Sequence, residues 1–315
     1  VAALMRGGAR EGNATRFADL ALAGSAVAFV AAAAGLFVFG WVRAESPIFG
    51  AILLANTALL LGFLAPVGTL AAGSRRWLYL AGPVFGVAVV AMTGSRGPLL
   101  ALVPLTLIAG WFGWRSRVAG PLLVVGAVAA FLALSTLMIV ALESRSATLV
   151  TAIEQVLDDP VRGASGAASV QEEAADRSQA ADSAARTNDT ARIRLALYEA
   201  GLKAFLERPL FGHGWARLMS AAEPHLAPEF RRYATSLPQL HNDVLNFAVA
   251  AGLTGVILYA VLLATPLIAV LSGPRDRLFP VRFYGALVLS VAYLFDGLTD
   301  LMFGFEFHTA IYTML

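Results

Sequence analysis

No cysteine occurs in the 315 residues. That excludes a disulfide framework, a thiolate nucleophile and a thiolate metal site, and leaves the redox compartment open. Lysine is nearly absent too: of 23 basic residues only Lys203 is one. Charged residues make up 14% of the chain and apolar residues 58%, far from the balance of a soluble domain of this length, so membrane insertion is the leading expectation. There is no Asp-x-Asp for a metal–nucleotide-sugar site, no Walker loop and no GxGxxG. No His/Glu cluster stands at metal spacing, so no metal and no cofactor are expected. The net charge of +2 gives no reason to expect a nucleic-acid partner.

Long apolar runs are what the chain does have. They fall at about 17–41, 47–73, 77–94, 98–113, 118–141, 241–271 and 281–303, with a last one starting near 305 and cut short at Leu315. Backbone amides in lipid need internal partners, so these runs are expected as helices, and runs of roughly 18 residues are long enough to cross a bilayer. Pro66, Pro83, Pro104 and Pro266 fall inside them and predict kinks. With its abrupt ends, the chain reads as part of a longer membrane protein.

Every second connection is rich in arginine. Arg6, Arg10 and Arg16 precede the first run, Arg75 and Arg76 follow the second, Arg115 and Arg117 follow the fourth, and Arg275, Arg277 and Arg282 separate the last two long ones. The positive-inside rule assigns that side to the cytoplasm. The opposite side receives the 43–46 turn, the Ser95-Arg96-Gly97 turn and everything from 142 to 240. The expected fold is an all-α integral membrane protein, a polytopic helical bundle with a large, partly helical extracytoplasmic loop. Three parts follow: 1–141 with about five transmembrane helices, the loop at 142–240, and 241–315 with about three more.

Within the loop, "RGASGAASVQEEAADRSQAADSAARTND" (162–189) is small and polar and reads as a solvated linker or helix. Beyond it, Ile193, Leu197, Ala200 and Ala204 recur at helical spacing. They predict an amphipathic helix lying on the membrane surface or against the bundle, stopped by Pro209 and followed by a Gly212-His213-Gly214 turn.

Three polar features converge on the extracytoplasmic side. Arg96 stands between two spans in "TGSRGPLLAL"; it could snorkel to headgroups or aim a guanidinium at a phosphate. Arg192 and Arg194 lie on the amphipathic helix, where Arg194 shares a stripe with Tyr198 and is the stronger candidate of the two. His241, Asn242 and Asp243 stand at the mouth of an apolar run. Asn and Asp are strong N-caps, which is their plain reading, whereas histidine is a poor one. A helix N-terminus disfavours imidazolium and attracts a pyrophosphate, so His241 is a candidate general base. Gly252 and Gly255 with Ala248 and Ala251 form small-xxx-small pairs that suggest close packing of another helix. Asp296 and Asp300 mark a polar interior, which a proton-coupled transporter or flippase-like carrier would also show.

Together, "SRGPLLAL" (95–102), "RLALYEAGLKAFLERPLFGHG" (194–214) and "HNDVLNFAVAAGLTG" (241–255) resemble the O-antigen ligase / Wzy polymerase superfamily. The resemblance rests on the Ser-Arg-Gly turn, on Arg194 with an aromatic residue four on, and on His241-Asn242 followed after ten residues by Gly252. Members of that family carry more spans than those read here, so N-terminal helices are expected to be missing. The resemblance implies a metal-independent, inverting glycosyltransferase in the bacterial inner membrane, active at its periplasmic face. Its donor would be an undecaprenyl-pyrophosphate-linked glycan. A ligase passes that glycan to lipid A–core; a polymerase passes it to another lipid-linked repeat. His241 would be the general base and Arg96, Arg194 and Arg192 would hold the pyrophosphate, with Asn242, Asp243, Tyr198 and Gly252 in support.

Overall fold

A chain this apolar satisfies its backbone inside each segment, and every regular element among the described residues is helical. The computed structural model describes residues 11–41, 44–45, 50–71, 77–117, 192–234 and 237–315, with scattered residues between 120 and 133. Arg6, Arg10, Arg75, Arg76, most of the 118–141 run and the 142–191 stretch lie outside the described residues.

Helix α1 is Glu11–Phe37, α2 Ala51–Leu64, α3 the short Val67–Leu70, α4 Ala81–Thr93 and α5 Pro98–Arg115. Helix α6 covers 192–207. Two short helices follow, α7 (Leu218–Ala222) and α8 (Pro228–Ala234). The last three are α9 (Asp243–Leu271), α10 (Phe279–Gly297) and α11 (Glu306–Met314). Among the described residues, five stretches are long and apolar enough to cross a membrane: α1, α2 with α3, α5, α9 and α10.

Local chemistry sets the boundaries. The α4 helix ends at Gly94, whose φ of 61° gives the left-handed C-cap that favours glycine. Pro98 opens α5, where its missing N–H would be unpaired anyway. The apolar run read at 281–303 is a helix only to Gly297; residues 298–305 leave the helix and turn back across the end of the bundle before α11 begins. That departure from the expected span carries Asp300 out of the helix.

The helices alternate in direction. Phe112 of α5 packs on Phe283 and Tyr284 of α10, while Gly97 before α5 meets Thr299 beyond α10. The Ser290 hydroxyl of α10 donates to the Leu263 carbonyl of α9. Helices α2 and α4 approach backbone to backbone, since a Cβ on Gly62 would come within 2.5 Å of the Gly82 carbonyl oxygen. Small residues permit such contact where lipid provides no hydrophobic drive. Leu59, Leu60, Leu64, Leu102, Leu105, Tyr284 and Tyr293 fill the core. Arg115, Arg117, Arg275 and Arg277 sit at one end of α5, α9 and α10; the loop elements α6 to α8 and His241 sit at the other.

Helix α6 is amphipathic as expected, and its stripe is buried in protein. Leu197, Ala200 and Ala204 pack with Leu218, Ala222, Leu226 and Leu240, and with Val249 and Ala250 of α9. The loop thus has a small core of its own, built on the first turns of α9.

Candidate functional site

His241 is the residue before the N-cap of α9. Its φ is 53°, in the left-handed region that non-glycine residues enter at a cost of order 1–3 kcal/mol when the surroundings hold them there. Several contacts do the holding. The Tyr198 hydroxyl, from α6, donates to the His241 carbonyl at 2.9 Å and lies 3.3 Å from the Leu298 carbonyl. The Asn242 side-chain oxygen accepts from the Leu245 N–H at 3.0 Å, and its amide donates to the Leu298 carbonyl at 2.9 Å. Asn242 is therefore the N-cap that its residue type suggests.

Asp243 does something else. Its carboxylate accepts from the N–H groups of Met302 and Phe303, at 2.9 and 3.1 Å. It clamps the 298–305 segment rather than capping its own helix. Asn246, not singled out in the sequence, accepts from the Leu240 N–H at 3.0 Å and fixes the chain entering the helix.

The clamped segment brings in Asp300. Its carboxylate lies 3.2 Å from His241 Nδ1, with Asp300 buried and His241 25% exposed. When Nδ1–H donates to this carboxylate, Nε2 keeps the free lone pair. Sequence reasoning missed this partner. It marked Asp300 only as a polar residue in an apolar run, and a contact across 59 positions has no signature in one sequence. Asp296, one turn earlier, is fully buried, and both its carboxylate oxygens are without a hydrogen-bond partner among the described residues.

Two of the arginine candidates converge on the same segment. A Cβ on Gly97 would lie 2.5 Å from Thr299 Oγ1, so the Ser95-Arg96-Gly97 turn is packed against the residue next to Asp300. Arg96 is exposed there. Arg194 is half-buried one helical turn before Tyr198. Burial pushes the Tyr198 hydroxyl up; the nearby Arg194 guanidinium lowers it and the Asp300 carboxylate raises it. Arg192 is exposed at the start of α6. Among the described residues no group of three His, Cys, Asp or Glu side chains is placed to hold a metal ion.

Gly252 has a role that the small-residue spacing did not foretell. Its φ of 65° and ψ of −152° break α9, a conformation essentially reserved for glycine. Into the break fits the turn after α6. His213 and Gly214 donate their N–H groups to the carbonyls of Val249 and Ala250, each at 2.8 Å, and Leu253 donates to the Pro209 carbonyl at 2.7 Å. A Cβ on Gly252 would strike the backbone of Leu210 and Phe211, and one on Gly212 that of Ala250 and Ala251. What packs closely is a turn rather than a second helix. His213 is turn geometry too, its Nε2 lying 2.8 Å from the Ala204 carbonyl.

The result is a group of polar side chains at one end of the bundle. It holds an imidazole paired to a buried carboxylate and two guanidinium groups with no ion pair among the described residues. Such a group can take a proton from a hydroxyl while the cations stabilise a developing anion. A family model described as O-antigen ligase matches residues 81–260, from α4 to the middle of α9. No curated protein matches the chain.

Proposed function

The chain belongs to the O-antigen ligase family, and from that premise we propose that it transfers an undecaprenyl-pyrophosphate-linked glycan to lipid A–core at the periplasmic face of the bacterial inner membrane. The observation that carries the reading is the His241–Asp300 pair, set at the same end of the bundle as Arg96 and Arg194. Among the described residues, Arg115, Arg117, Arg275 and Arg277 support the orientation, since they lie at the opposite end. The three-part division at 1–141, 142–240 and 241–315 goes with it: two sets of membrane helices and a loop that supplies α6.

The acceptor hydroxyl attacks the anomeric carbon from the face opposite the pyrophosphate, which gives inversion. As the new C–O bond forms, the hydroxyl proton passes to His241 Nε2. The bond from the anomeric carbon to the pyrophosphate oxygen breaks, and its electron pair leaves with the lipid pyrophosphate. Arg96 and Arg194 neutralise that leaving group, with bidentate forks suited to phosphate oxygens; Arg192, farther out, meets the donor's approach. Asp300 and Tyr198 are positioning residues: the first fixes the imidazole tautomer, the second the backbone that carries the ring. No cofactor enters the scheme.

The matched motifs are shared by ligases and polymerases, so the acceptor decides between them. Purified protein is given undecaprenyl-pyrophosphate glycan with either lipid A–core or a second lipid-linked repeat. Transfer to lipid A–core alone supports the ligase, and chain growth on the second repeat makes it a polymerase. Passage of the intact donor between leaflets, with no new glycosidic bond, would replace both readings by a carrier. Against the carrier stands the position of Asp296 and Asp300, in the last turn of α10 and beyond it rather than at mid-membrane.

A further inference from the structure

The buried stripe of α6 faces protein, but the opposite edge of the same helix also carries apolar residues, interrupted by exposed Glu199, which is paired with Lys203 at 2.6 Å. Leu195, Leu202 and Leu206 stand seven and four residues apart, within about 40° of one another around the helix. They are 69%, 50% and 64% exposed. The strip continues into the following turn with Leu210 and Phe211, 59% and 77% exposed, and Trp215 at 57%. An apolar strip of this kind, on the side of a helix turned away from its own core, needs a partner.

The height of the strip comes from α9. That helix has 29 residues, which at 1.5 Å per residue make about 43 Å against a hydrocarbon core of about 30 Å. The stretch from Gly252 to Leu271 is by itself long enough to span the core. From Asp243 to Gly252 no residue is exposed, because the loop covers one side of that part and the bundle with the 298–305 segment covers the other; exposure starts at Leu253 and continues through Ile257, Leu258 and Val261. Gly252 therefore marks the hydrocarbon boundary on the His241 side. It is also where the turn after α6 is hydrogen-bonded into α9, which makes the Leu210–Phe211 tip continuous with the lipid-facing side of α9. Exposed Arg208 and Arg217 flank the strip, as basic residues do at a headgroup layer, while Lys203 is paired with Glu199.

We propose that the outward edge of α6 and the Leu210–Phe211 tip form an interfacial anchor, immersed in the bilayer leaflet on the His241 side. Its partner is bulk lipid with anionic headgroups. The anchor sets the height of α6, and through α6 the height of Arg194 and Tyr198 above the acyl chains. It does not depend on which reaction the site performs.

The chain's lack of cysteine makes the test direct. Single-cysteine variants Leu206→Cys, Leu210→Cys and Phe211→Cys are spin-labelled and reconstituted in phosphatidylethanolamine–phosphatidylglycerol vesicles. Glu207→Cys serves as the water-facing reference and Leu258→Cys as the lipid-facing one. Labels at 206, 210 and 211 should collide with dissolved oxygen and be shielded from a water-soluble nickel chelate, as at 258. Nickel accessibility like that at 207 overturns the proposal, and so does shielding from both reagents, which would place another protein surface over the strip. A second reading uses no added label: brominated lipid should quench Trp215, and the quenched component should vanish in Trp215→Phe. Unchanged quenching in that variant also counts against the anchor.

Discussion

With His241 Nδ1 paired to Asp300, the proposed proton transfer runs through Nε2, and that sets what substitution should do. His241→Ala should remove detectable transfer while donor binding, carried by the arginines, is largely kept. Asp300→Asn keeps the shape but loses the negative charge that stabilises the imidazolium, and its amide can donate to Nδ1 and fix the wrong tautomer, so transfer should fall by about 10²-fold or more, the usual worth of a positioned proton transfer. His241→Asn separates catalysis from folding. An active variant with a slightly lower Tm would mean that the residue serves only the helix end. The arginines make a second case. Arg96→Ala and Arg194→Ala should each cut transfer strongly with normal insertion and purification, and lysine at either site should restore only part, because the bidentate fork is lost. Near wild-type rates for both alanine variants would make them interfacial anchors.

At the scale of elements, the site depends on two joints. One is the Asp243 clamp on Met302 and Phe303, which returns the 298–305 segment to His241. The other is the insertion of the Pro209–Gly214 turn into the break of α9. That joint holds α6, with Arg194 and Tyr198, against the helix that His241 introduces. Gly252→Ala adds a Cβ that meets the Leu210 and Phe211 backbone, at dihedrals where a non-glycine residue costs of order 1–3 kcal/mol before any clash. A lower Tm and a large loss of transfer are expected together, though no proposed catalytic side chain has been touched. A variant with unchanged Tm and rate would show that the turn does not stay inserted in the membrane.

Across the whole molecule, charge is scarce inside and gathered at the ends. The described residues hold no cluster placed for a metal ion, and the candidate cations at the His241 end, Arg96 and Arg194, are arginines. Transfer should therefore survive EDTA, measured as product formed with and without chelator. Loss in chelator, restored by magnesium or manganese, would argue against arginine as the stabiliser of the leaving pyrophosphate. The bundle itself is held by apolar packing among α2, α5 and α10 and by glycine contacts between α2 and α4. Its interior thus leaves the polar groups of the site at one end.

Much of this was legible in the linear sequence because its causes are local. Hydrophobic runs dictate membrane helices, since an unpaired amide in lipid is too costly, and the arginine count orders their ends. Capping chemistry marks Asn242, and helical periodicity marks Leu197, Ala200 and Ala204. The family motif gathers Arg96, Arg194 and His241. Tertiary structure decided the rest. It ended α10 at Gly297, although the following residues are as apolar as those before, because Asp243 supplies hydrogen bonds to a chain leaving the helix. It turned Asp300 from an isolated intramembrane carboxylate into the partner of His241, and it turned Gly252 from a small residue into the site of a helix break. Each of these outcomes depends on a contact between residues far apart in the chain, and residue type and spacing record only what a segment can do by itself.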